Sequence, residues 1–454
     1  MAKAITLLLL LALAHPPAWA AQGDGALRLV TKEESLGNLE TGSDLGSLTT
    51  DPGFQHVAYI VKRGAKESVV VDDKAGKEHD AIVENRELYF SPDGQRFAYV
   101  AKHGNKRLVV VDGKEGKEYD HICEYGNPIF SPDSKQVAYV ATIDNQLIEK
   151  LRIFGAWPLE DFVVVNGQKK KTYAMVEDLV FSPDGQKLAY LGFAHWNGIS
   201  SVVVNEIEGK PYGESVGVVF SPDSSRLAFT AHKRVKHKVG TYFAVIDGKE
   251  GHDYTSVGSI IFSPDSKHTA YIARSSQSFV IRDDVPGDRY NSLQGLPVFS
   301  PDSQRLAYVA LQGTNWVMIV NDKVFDDQQV EQYTAGLTFS PDSQHLAYRS
   351  RIGTNWFTVV DGVVEKSSEH TLSDPVFSPD SKWLAYLVRR NGKSIPVYGD
   401  LTGGEYDRFV TCDPLLNTTA MPQRTPFALD RDGVLHAIVL RGNEILRLEL
   451  SIAR

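Results

Sequence analysis

The chain has 454 residues, of which 48 are lysine or arginine and 57 are aspartate or glutamate, so its net charge is −9 at pH 7. This acidic balance argues against a nucleic acid as the partner, because binding DNA or RNA requires clustered positive charge. The two cysteines, Cys123 and Cys412, exclude a disulfide framework, and stability must therefore come from apolar burial.

The first twenty residues have the features of a cleaved secretory signal. Lys3 precedes an apolar run over residues 4–14, and the segment ends in the small-x-small triplet Ala18-Trp19-Ala20. The apolar run is too short to span a bilayer. We therefore expect residues 1–20 to be removed and the mature protein to be periplasmic or secreted.

The remaining sequence is built from a repeated twelve-residue string. The copy "FSPDSKQVAYVA" begins at Phe130. Seven more copies, with small changes, begin at Phe90, Phe181, Phe220, Phe262, Phe299, Phe339 and Phe377. Two weaker copies lie around Pro52 and from Phe427. The copies define ten units of about forty residues, a repeat architecture rather than the two or three domains that length alone suggests.

Each unit predicts four short antiparallel strands. The Ser-Pro-Asp-Gly or Ser-Pro-Asp-Ser segment between the first two strands suits a type I turn. Dipeptides such as Asp112-Gly113 and Asn166-Gly167 predict a tight hairpin between the third and fourth strands. The second and third strands are continuous apolar runs, which indicates that both faces of the sheet are covered. Such a repeated sheet describes one blade of a β-propeller.

These F-S-P-D-G/S-x-x-x-A-Y strings resemble the WD-repeat-like propeller repeats of TolB-like proteins. They are also similar to the propeller domains of tricorn and prolyl-oligopeptidase-type peptidases. The resemblance covers roughly residues 45–450 and implies an all-β propeller fold, but it implies no activity, because one fold hosts many functions. Neither the α/β domain of TolB nor a hydrolase domain is expected in this chain.

The array predicts a single closed ring, although ten blades exceed the usual four to eight and two smaller tandem rings are an alternative. The last unit has three strands, and Ala26–Thr31 could supply its missing fourth strand and close the ring. The predicted organisation is a signal peptide at 1–20, an N-terminal segment with the closing strand at 21–44 and the repeat array at 45–454. In this ring Cys123 and Cys412 lie too far apart for a disulfide.

Two motifs that suggest chemistry are better explained by the repeat. The sequence of residues 213–217, Gly-Glu-Ser-Val-Gly, matches the nucleophile elbow of hydrolases, but no helix follows it. Residues 430–433 resemble the start of a calcium loop, but they align with the Ser-Pro-Asp turns. The histidines form no closely spaced pairs, so no metal site, cofactor or catalytic residue is predicted.

The longer connections predict which face of the ring is functional. Because strands alternate in direction, the Ser-Pro-Asp turns and Asp-Gly hairpins share one face, and the variable connections lie on the opposite face. These connections include 143–160, where Leu147, Leu151 and Phe154 predict a short helix, the basic segment 232–238 and the ninth unit's 412–424. Binding residues concentrate in such loops. The predicted functional surface comprises Phe154, Trp157, His195, Trp196, Lys233 and Arg234.

The leading functional hypothesis is an exported, non-enzymatic scaffold that binds a protein partner in the cell envelope. One alternative is a hydrolase or lyase with its site in the central channel, which a cluster of acidic, histidine and arginine side chains at the channel mouth would favour. The other is a carbohydrate- or ligand-binding module, which exposed tryptophan and tyrosine rings around shallow pockets would favour. Trp316 and Trp356, each at the start of a third strand, are better explained by packing between blades. A broad apolar patch would favour the protein partner.

Overall fold

The computed structural model describes residues 27–83, 87–122, 127–144, 159–195, 198–233, 240–330, 336–352, 354–365, 370–412 and 426–453. Within these ranges the chain forms β-strands joined by turns. None of the described segments is a helix long and apolar enough to cross a membrane.

The strands form consecutive antiparallel blades, and β1 (Arg28–Asn38) precedes the first of them. Blade 1 contains β2 (Ser43–Thr50), β3 (Val57–Arg63), β4 (Lys66–Val71) and β5 (Lys74–Ala75). Blade 2 contains β6 (Ala81–Ile82), β7 (Leu88–Phe90), β8 (Phe97–His103), β9 (Lys106–Val111) and β10 (Lys114–Glu115). Blade 3 contains β11 (His121–Ile122), β12 (Ile129–Phe130), β13 (Val137–Asp144), β14 (Leu159–Val165) and β15 (Gln168–Tyr173).

Blades 4 and 5 share one long strand, which ends the fourth blade and begins the fifth. Blade 4 contains β16 (Met175–Phe181), β17 (Leu188–His195), β18 (Ile199–Val204) and the shared β19 (Ile207–Phe220). Blade 5 continues with β20 (Leu227–Lys233), β21 (Thr241–Ile246) and β22 (Lys249–Glu250). Blade 6 contains β23 (Ser256–Val257), β24 (Ile261–Phe262), β25 (Thr269–Arg274), β26 (Ser278–Arg282) and β27 (Val285–Pro286).

The last four blades complete the series. Blade 7 contains β28 (Ser292–Phe299), β29 (Leu306–Gln312), β30 (Asn315–Val320) and β31 (Lys323–Val330). Blade 8 contains β32 (Thr338–Phe339), β33 (Leu346–Ile352), β34 (Asn355–Val360) and β35 (Val363–Val364). Blade 9 contains β36 (Val376–Phe377), β37 (Leu384–Arg390), β38 (Lys393–Tyr398) and β39 (Leu401–Thr402). Blade 10 contains β40 (Arg408–Phe409), β41 (Ala428–Leu429), β42 (Leu435–Arg441) and β43 (Glu444–Ala453).

The order of strands within a blade sets its inner and outer edges. In five blades the short fourth strand is exposed at both of its residues, which places it at the rim of the molecule. The first strand therefore lies at the inner edge. First strands are irregular, because their pairing with the second strand is interrupted by bulges, as between Glu177 and Val180 and between Val216 and Val219.

The two kinds of turn lie on one face, as predicted. Asp112 and Gly113 both have positive φ angles, 51° and 74°, as a two-residue hairpin turn requires. The Asp112 carboxylate accepts a hydrogen bond of 2.9 Å from the backbone N–H of Phe97, which follows the Ser-Pro-Asp turn of the same blade. This contact joins the two turns and confirms that they share a face, called here the turn face; the opposite face is the loop face.

Ser-Pro-Asp turns of neighbouring blades are also joined to each other. The backbone N–H of Asp223 donates to the Ser266 hydroxyl at 3.0 Å, and that of Asp265 donates to the Ser303 hydroxyl at 3.0 Å. The same bond starts from Asp93, Asp184, Asp302 and Asp342. The repeated string therefore encodes both a turn and a link to the next blade.

Apolar packing between blades shows that the array is one closed ring. In the described residues ten blades are separated by ten apolar clusters, one for each neighbouring pair. One cluster joins blade 10 to blade 1 and contains Tyr59, Ile438 and Cys412. In addition, β1 pairs with β43 from Arg28 opposite Ala453 to Asn38 opposite Glu444. The N-terminal strand thus supplies the outer strand of the last blade, over a longer range than the sequence suggested.

The structure also corrects two details. Cys412 follows β40, which belongs to the sheet of blade 10 rather than to the ninth unit, and residues 413–424 lie outside the described residues. The expected loop at 143–160 begins and ends as strand, because Ile143 pairs with Glu160 and Asp144 with Leu159. The predicted helix and Cys123 lie outside the described residues, so the helix and the absence of a Cys123–Cys412 disulfide stay predictions.

Candidate functional site

A cleft of about 320 Å³ opens on the loop face where blades 8, 9 and 10 meet. Its walls are lined by Arg349, Leu372, Ser373, Asp374, Leu387, Arg389, Ser394, Asp407, Arg408, Phe409, Thr411 and Pro426. Arg389 is the second-last residue of β37, and Arg408 begins β40. Because first strands lie at the inner edge of the ring, the cleft lies beside the mouth of the central channel.

One wall of the cleft is a partly buried ion pair. Arg349 lies in β33 with its Nη2 atom 2.7 Å from the Asp374 carboxylate, and the two side chains are only 17% and 21% exposed. The Arg349 guanidinium also lies 5.3 Å from the ring of Trp356, a favourable cation–π contact. Asp374 packs directly against Gly336, where a Cβ atom would collide with the carboxylate. Arg349 is therefore held in one orientation.

The opposite wall carries Asp407 and Arg408. The Asp407 carboxylate accepts a hydrogen bond of 2.7 Å from the backbone N–H of Gly442 and another from Lys393. These bonds, the first above all, lower the pKa of Asp407, so the group is a carboxylate at neutral pH and a poor proton acceptor. Arg408 donates to the carbonyl of Leu45 at 2.8 Å, which connects the cleft to blade 1.

Arg389 is the cationic group of the cleft that is free to bind. It is exposed at the end of β37, and within the described part of the chain its guanidinium has no acidic partner. The Nε atom of Arg349 is buried and also lacks a hydrogen-bond acceptor among the described residues. Guanidinium groups bind carboxylates and phosphates in a planar, two-pronged geometry. The cleft is therefore suited to an anionic group.

The same residues are poorly suited to catalysis. The cleft lining contains no histidine, glutamate or cysteine. Both of its aspartates are paired with cations, Asp374 with Arg349 and Asp407 with Lys393. A general base needs a pKa near the working pH and a free lone pair, and a paired carboxylate offers neither. Among the described residues this cleft can bind an anion but does not assemble a nucleophile and base.

The structure places two of the six residues predicted for the functional surface. His195 and Lys233 are exposed at the loop-face ends of β17 and β20, in neighbouring blades. Lys233 lies 3.4 Å from the carboxylate of Asp253. Phe154, Trp157, Trp196 and Arg234 lie outside the described residues, so their part in a surface stays a prediction. The cleft lies on the same face as His195 and Lys233 but in blades 8 to 10 rather than blades 4 and 5.

The motifs that the sequence analysis attributed to the repeat rather than to chemistry have structural roles in the fold as well. Ser215 of the elbow-like string lies in the middle of β19 and is fully buried, so it is no exposed nucleophile. Asp430 accepts backbone hydrogen bonds of 2.9 Å from Asp432 and Val434, as expected for a turn. Trp316 packs in the cluster between blades 7 and 8, which makes it a packing residue rather than a platform for sugars.

Sequence reasoning missed the arginines of the cleft and one further cluster. Arg349 stands directly after the Ala-Tyr of its repeat, where other units have apolar residues such as Val100, Val140 and Leu387. This charged residue at a position that is apolar in other units was the sequence signal that could have indicated the cleft. His79, His103 and Glu115 bring ligand atoms within 4.8 Å of one another, and a search for closely spaced histidines could not find them because they are 12 to 36 residues apart.

Comparison with known proteins shows similarity of fold only. No protein-family profile and no curated protein sequence matches the chain. The chain is similar to a eukaryotic initiation factor structure, with 14% identity, a TM-score of 0.44 and coverage of 72% of this chain and 88% of that one. For the β-propeller domain of the Trilobed protease from Pyrococcus furiosus, the identity is 12%, the TM-score 0.31 and the coverage 73% and 99%. For the acylaminoacyl peptidase of Pyrococcus horikoshii, the identity is 12%, the TM-score 0.32 and the coverage 69% of this chain and 57% of that one.

Proposed function

We propose that this protein is an exported, non-enzymatic β-propeller scaffold of the cell envelope, and that its loop face docks a protein partner. The observation that carries the proposal is the cleft between blades 8 and 10, where Arg389 has no acidic partner among the described residues and Arg349 is fixed beside it. An acidic side chain or a C-terminal carboxylate of the partner binds these guanidinium groups.

The charge of the molecule supports an anionic group as the element that is recognised. The whole chain carries a net charge of −9, and yet the lining of the cleft holds three arginines, Arg349, Arg389 and Arg408, against two aspartates. A local positive patch on an acidic protein attracts and orients an acidic partner. The closed ring holds this patch on a rigid frame, so binding requires little ordering of the scaffold.

The enzyme alternative predicted from sequence has less support. It called for acidic, histidine and arginine side chains clustered at the channel mouth, and the cleft supplies arginines and paired aspartates only. The carbohydrate alternative called for exposed aromatic rings around shallow pockets, whereas Trp316 packs against the apolar cluster between blades 7 and 8. A binding scaffold accounts for the cleft without requiring either chemistry.

The proposal is tested by affinity capture from envelope extract with the mature protein and two charge-reversed variants as bait. Arg389→Glu reverses the charge in the cleft. Lys135→Glu is the matched control, because Lys135 lies on the turn face with 80% of its side chain exposed. We expect wild type and Lys135→Glu to capture the same partner and Arg389→Glu to retain roughly tenfold less or worse.

Capture should also weaken as salt is raised from about 0.05 to 0.5 M, because salt screens the attraction between exposed charges. Circular dichroism of the three proteins checks that the variants are folded. Equal capture by wild type and Arg389→Glu would refute the role of the cleft, and the absence of any protein captured in a wild-type-dependent way would refute the scaffold itself.

A further inference from the structure

Neighbouring blades are joined near the rim by a repeated trio of side chains. At the joint between blades 3 and 4, the Tyr173 hydroxyl donates to the Glu208 carboxylate at 2.7 Å, and Lys171 pairs with the same carboxylate. At the next joint the Tyr212 hydroxyl lies 3.1 Å from the Glu250 carboxylate. Tyr173 ends the fourth strand of blade 3 and Tyr212 lies in β19, the strand that leads from blade 4 into blade 5, and each glutamate lies in the fourth strand of the following blade. The trio is a structural fastener at these joints.

The joint between blades 1 and 2 has the same arrangement with one change of residue. Lys77 and Glu115 take the places of the lysine and glutamate, and His79 stands where the other joints have tyrosine. A second imidazole, that of His103, is added from the end of β8. The corresponding positions, four residues after the buried Tyr190 and Phe229 of blades 4 and 5, hold Ala194 and Lys233. Of the three joints compared, between blades 1 and 2, 3 and 4, and 4 and 5, only the first brings two imidazoles and a carboxylate together.

The three groups have the separations of ligands around one metal ion. His79 Nδ1 lies 3.1 Å from His103 Nε2, His103 Nε2 lies 3.3 Å from a Glu115 carboxylate oxygen, and His79 Nδ1 lies 3.6 Å from the same oxygen. Ligand atoms around a tetrahedral zinc ion with bonds of about 2.0–2.1 Å lie roughly 3.3 Å apart. The three edges of the observed triangle cluster around that value.

The other polar atom of each ligand has a partner that orients it. His79 Nε2 lies 3.1 Å from the Tyr99 hydroxyl, and His103 Nδ1 lies 3.3 Å from the Glu118 carboxylate. Lys77 Nζ lies 2.6 Å from the second oxygen of Glu115. Outer partners of this kind fix the ring orientation and the tautomer of metal-binding histidines. When His79 Nε2 donates to the Tyr99 hydroxyl and His103 Nδ1 donates to Glu118, the two nitrogens that face each other have lone pairs for a metal.

The surroundings favour an ion such as zinc and leave room for a further ligand. The side chain of His79 is fully buried, whereas those of His103 and Glu115 are 31% and 28% exposed, so one side of the triangle faces solvent. Nitrogen ligands select zinc and similar metals over calcium or magnesium, which prefer oxygen.

We propose that His79, His103 and Glu115 form a binding site for a divalent transition-metal ion, zinc by its donor set, at the joint of blades 1 and 2. The three protein ligands leave the fourth position, on the solvent side, open to water or to an external ligand. The site is separate from the cleft of blades 8 to 10 and does not depend on its function.

The test is zinc binding by the tag-free mature protein after removal of metal with a chelator. Isothermal titration with zinc chloride is expected to show one equivalent bound by the wild type. His79→Tyr places at this joint the residue that the other joints use, so the variant should fold while losing a ligand. His103→Ala removes the exposed ligand. Each variant should bind zinc at least about tenfold more weakly, the scale of losing even an outer partner.

Tyr173→Phe is the matched control, because it alters the equivalent position between blades 3 and 4 and should leave zinc binding unchanged. Zinc should also raise the melting temperature of the wild type and of Tyr173→Phe, because a ligand that binds the folded state stabilises it, but not that of His79→Tyr. Absence of stoichiometric binding to the wild type, or equal binding by wild type, His79→Tyr and His103→Ala, would overturn the proposal.

Discussion

Glu33 and Arg441, 408 positions apart in the sequence, form a two-pronged ion pair that joins the N-terminal strand to the last blade. The two carboxylate oxygens of Glu33 lie 2.9 and 2.7 Å from two guanidinium nitrogens of Arg441. The Tyr406 hydroxyl donates to the same carboxylate at 2.6 Å. The pair lies beside the strand pairing of β1 with β43, and so it reinforces the closure of the ring.

We predict that Glu33→Gln makes the ring less stable at neutral pH but not in acid. The hydrogen bond from Arg441, followed by that from Tyr406, lowers the pKa of Glu33 below its ordinary value of 4.5. A lowered folded-state pKa means that the stabilisation is complete above about pH 4.5 and disappears as the pH falls through the folded-state pKa. The side chains of Arg441 and Glu33 are 48% and 29% exposed, respectively, which limits the loss of stability at pH 7 to about 1 kcal/mol.

Urea unfolding of wild type and Glu33→Gln at pH 7 and at pH 3 measures this difference. At pH 7 the wild type should have the larger free energy of unfolding, and the difference between the two proteins should shrink or vanish at pH 3. A gap of the same size at both pH values would show that the charge of Glu33 does not contribute to closure.

We predict that Ser303→Ala destabilises the ring and that Ser303→Gly does not. Ser303 is 1% exposed and has a φ of 64°, and its hydroxyl accepts the hydrogen bond from the Asp265 N–H. Alanine removes the acceptor and keeps the unfavourable left-handed backbone, for a loss of about 1 kcal/mol. Glycine also removes the acceptor, but it relieves the backbone strain by a similar amount.

The free energy of unfolding in urea distinguishes the two variants. The repeat supplies its own precedent, because Gly94 and Gly185 occupy the same turn position with φ values of 71° and 70°. If alanine and glycine were equally destabilising, the backbone conformation would not be the deciding factor.

We predict that residues 145–158 can be replaced by an Asn-Gly turn without loss of the fold. Asp144 and Leu159 are directly paired, so a two-residue turn can close this hairpin. The β-type circular dichroism and the melting transition should stay nearly unchanged. Because the exchange removes Phe154 and Trp157, partner capture should weaken if these residues border the binding surface.

The same capture assay used for Arg389→Glu measures the effect. Unchanged capture would exclude Phe154 and Trp157 from the surface, and an unfolded variant would show that the segment is structural. Loss of the same captured protein in both variants would mean that the partner spans the loop face from blade 3 to blade 9.

The sequence by itself determined the blade, the number of blades and the face on which each turn lies. These properties depend on local chemistry that recurs in every unit. The Ser-Pro-Asp turn, the positive φ of Asp112-Gly113 and the buried Ala-Tyr of most second strands are recognised within one repeat. Repetition made each weak local signal reliable, and it predicted a closing strand near Ala26–Thr31, within which the observed β1 begins at Arg28.

Only the tertiary structure decided which departures from the repeat meet in space. Arg349 and Arg389 are 40 positions apart, and His79 and Glu115 are 36 apart, so no local pattern connects them. They come together because each blade packs one face of its sheet against the next blade, and side chains from equivalent strand ends therefore become neighbours. The choice between one ring of ten blades and two smaller rings also needed the contact of blade 10 with blade 1, since pairing between the chain's two ends leaves no signature in the sequence between them.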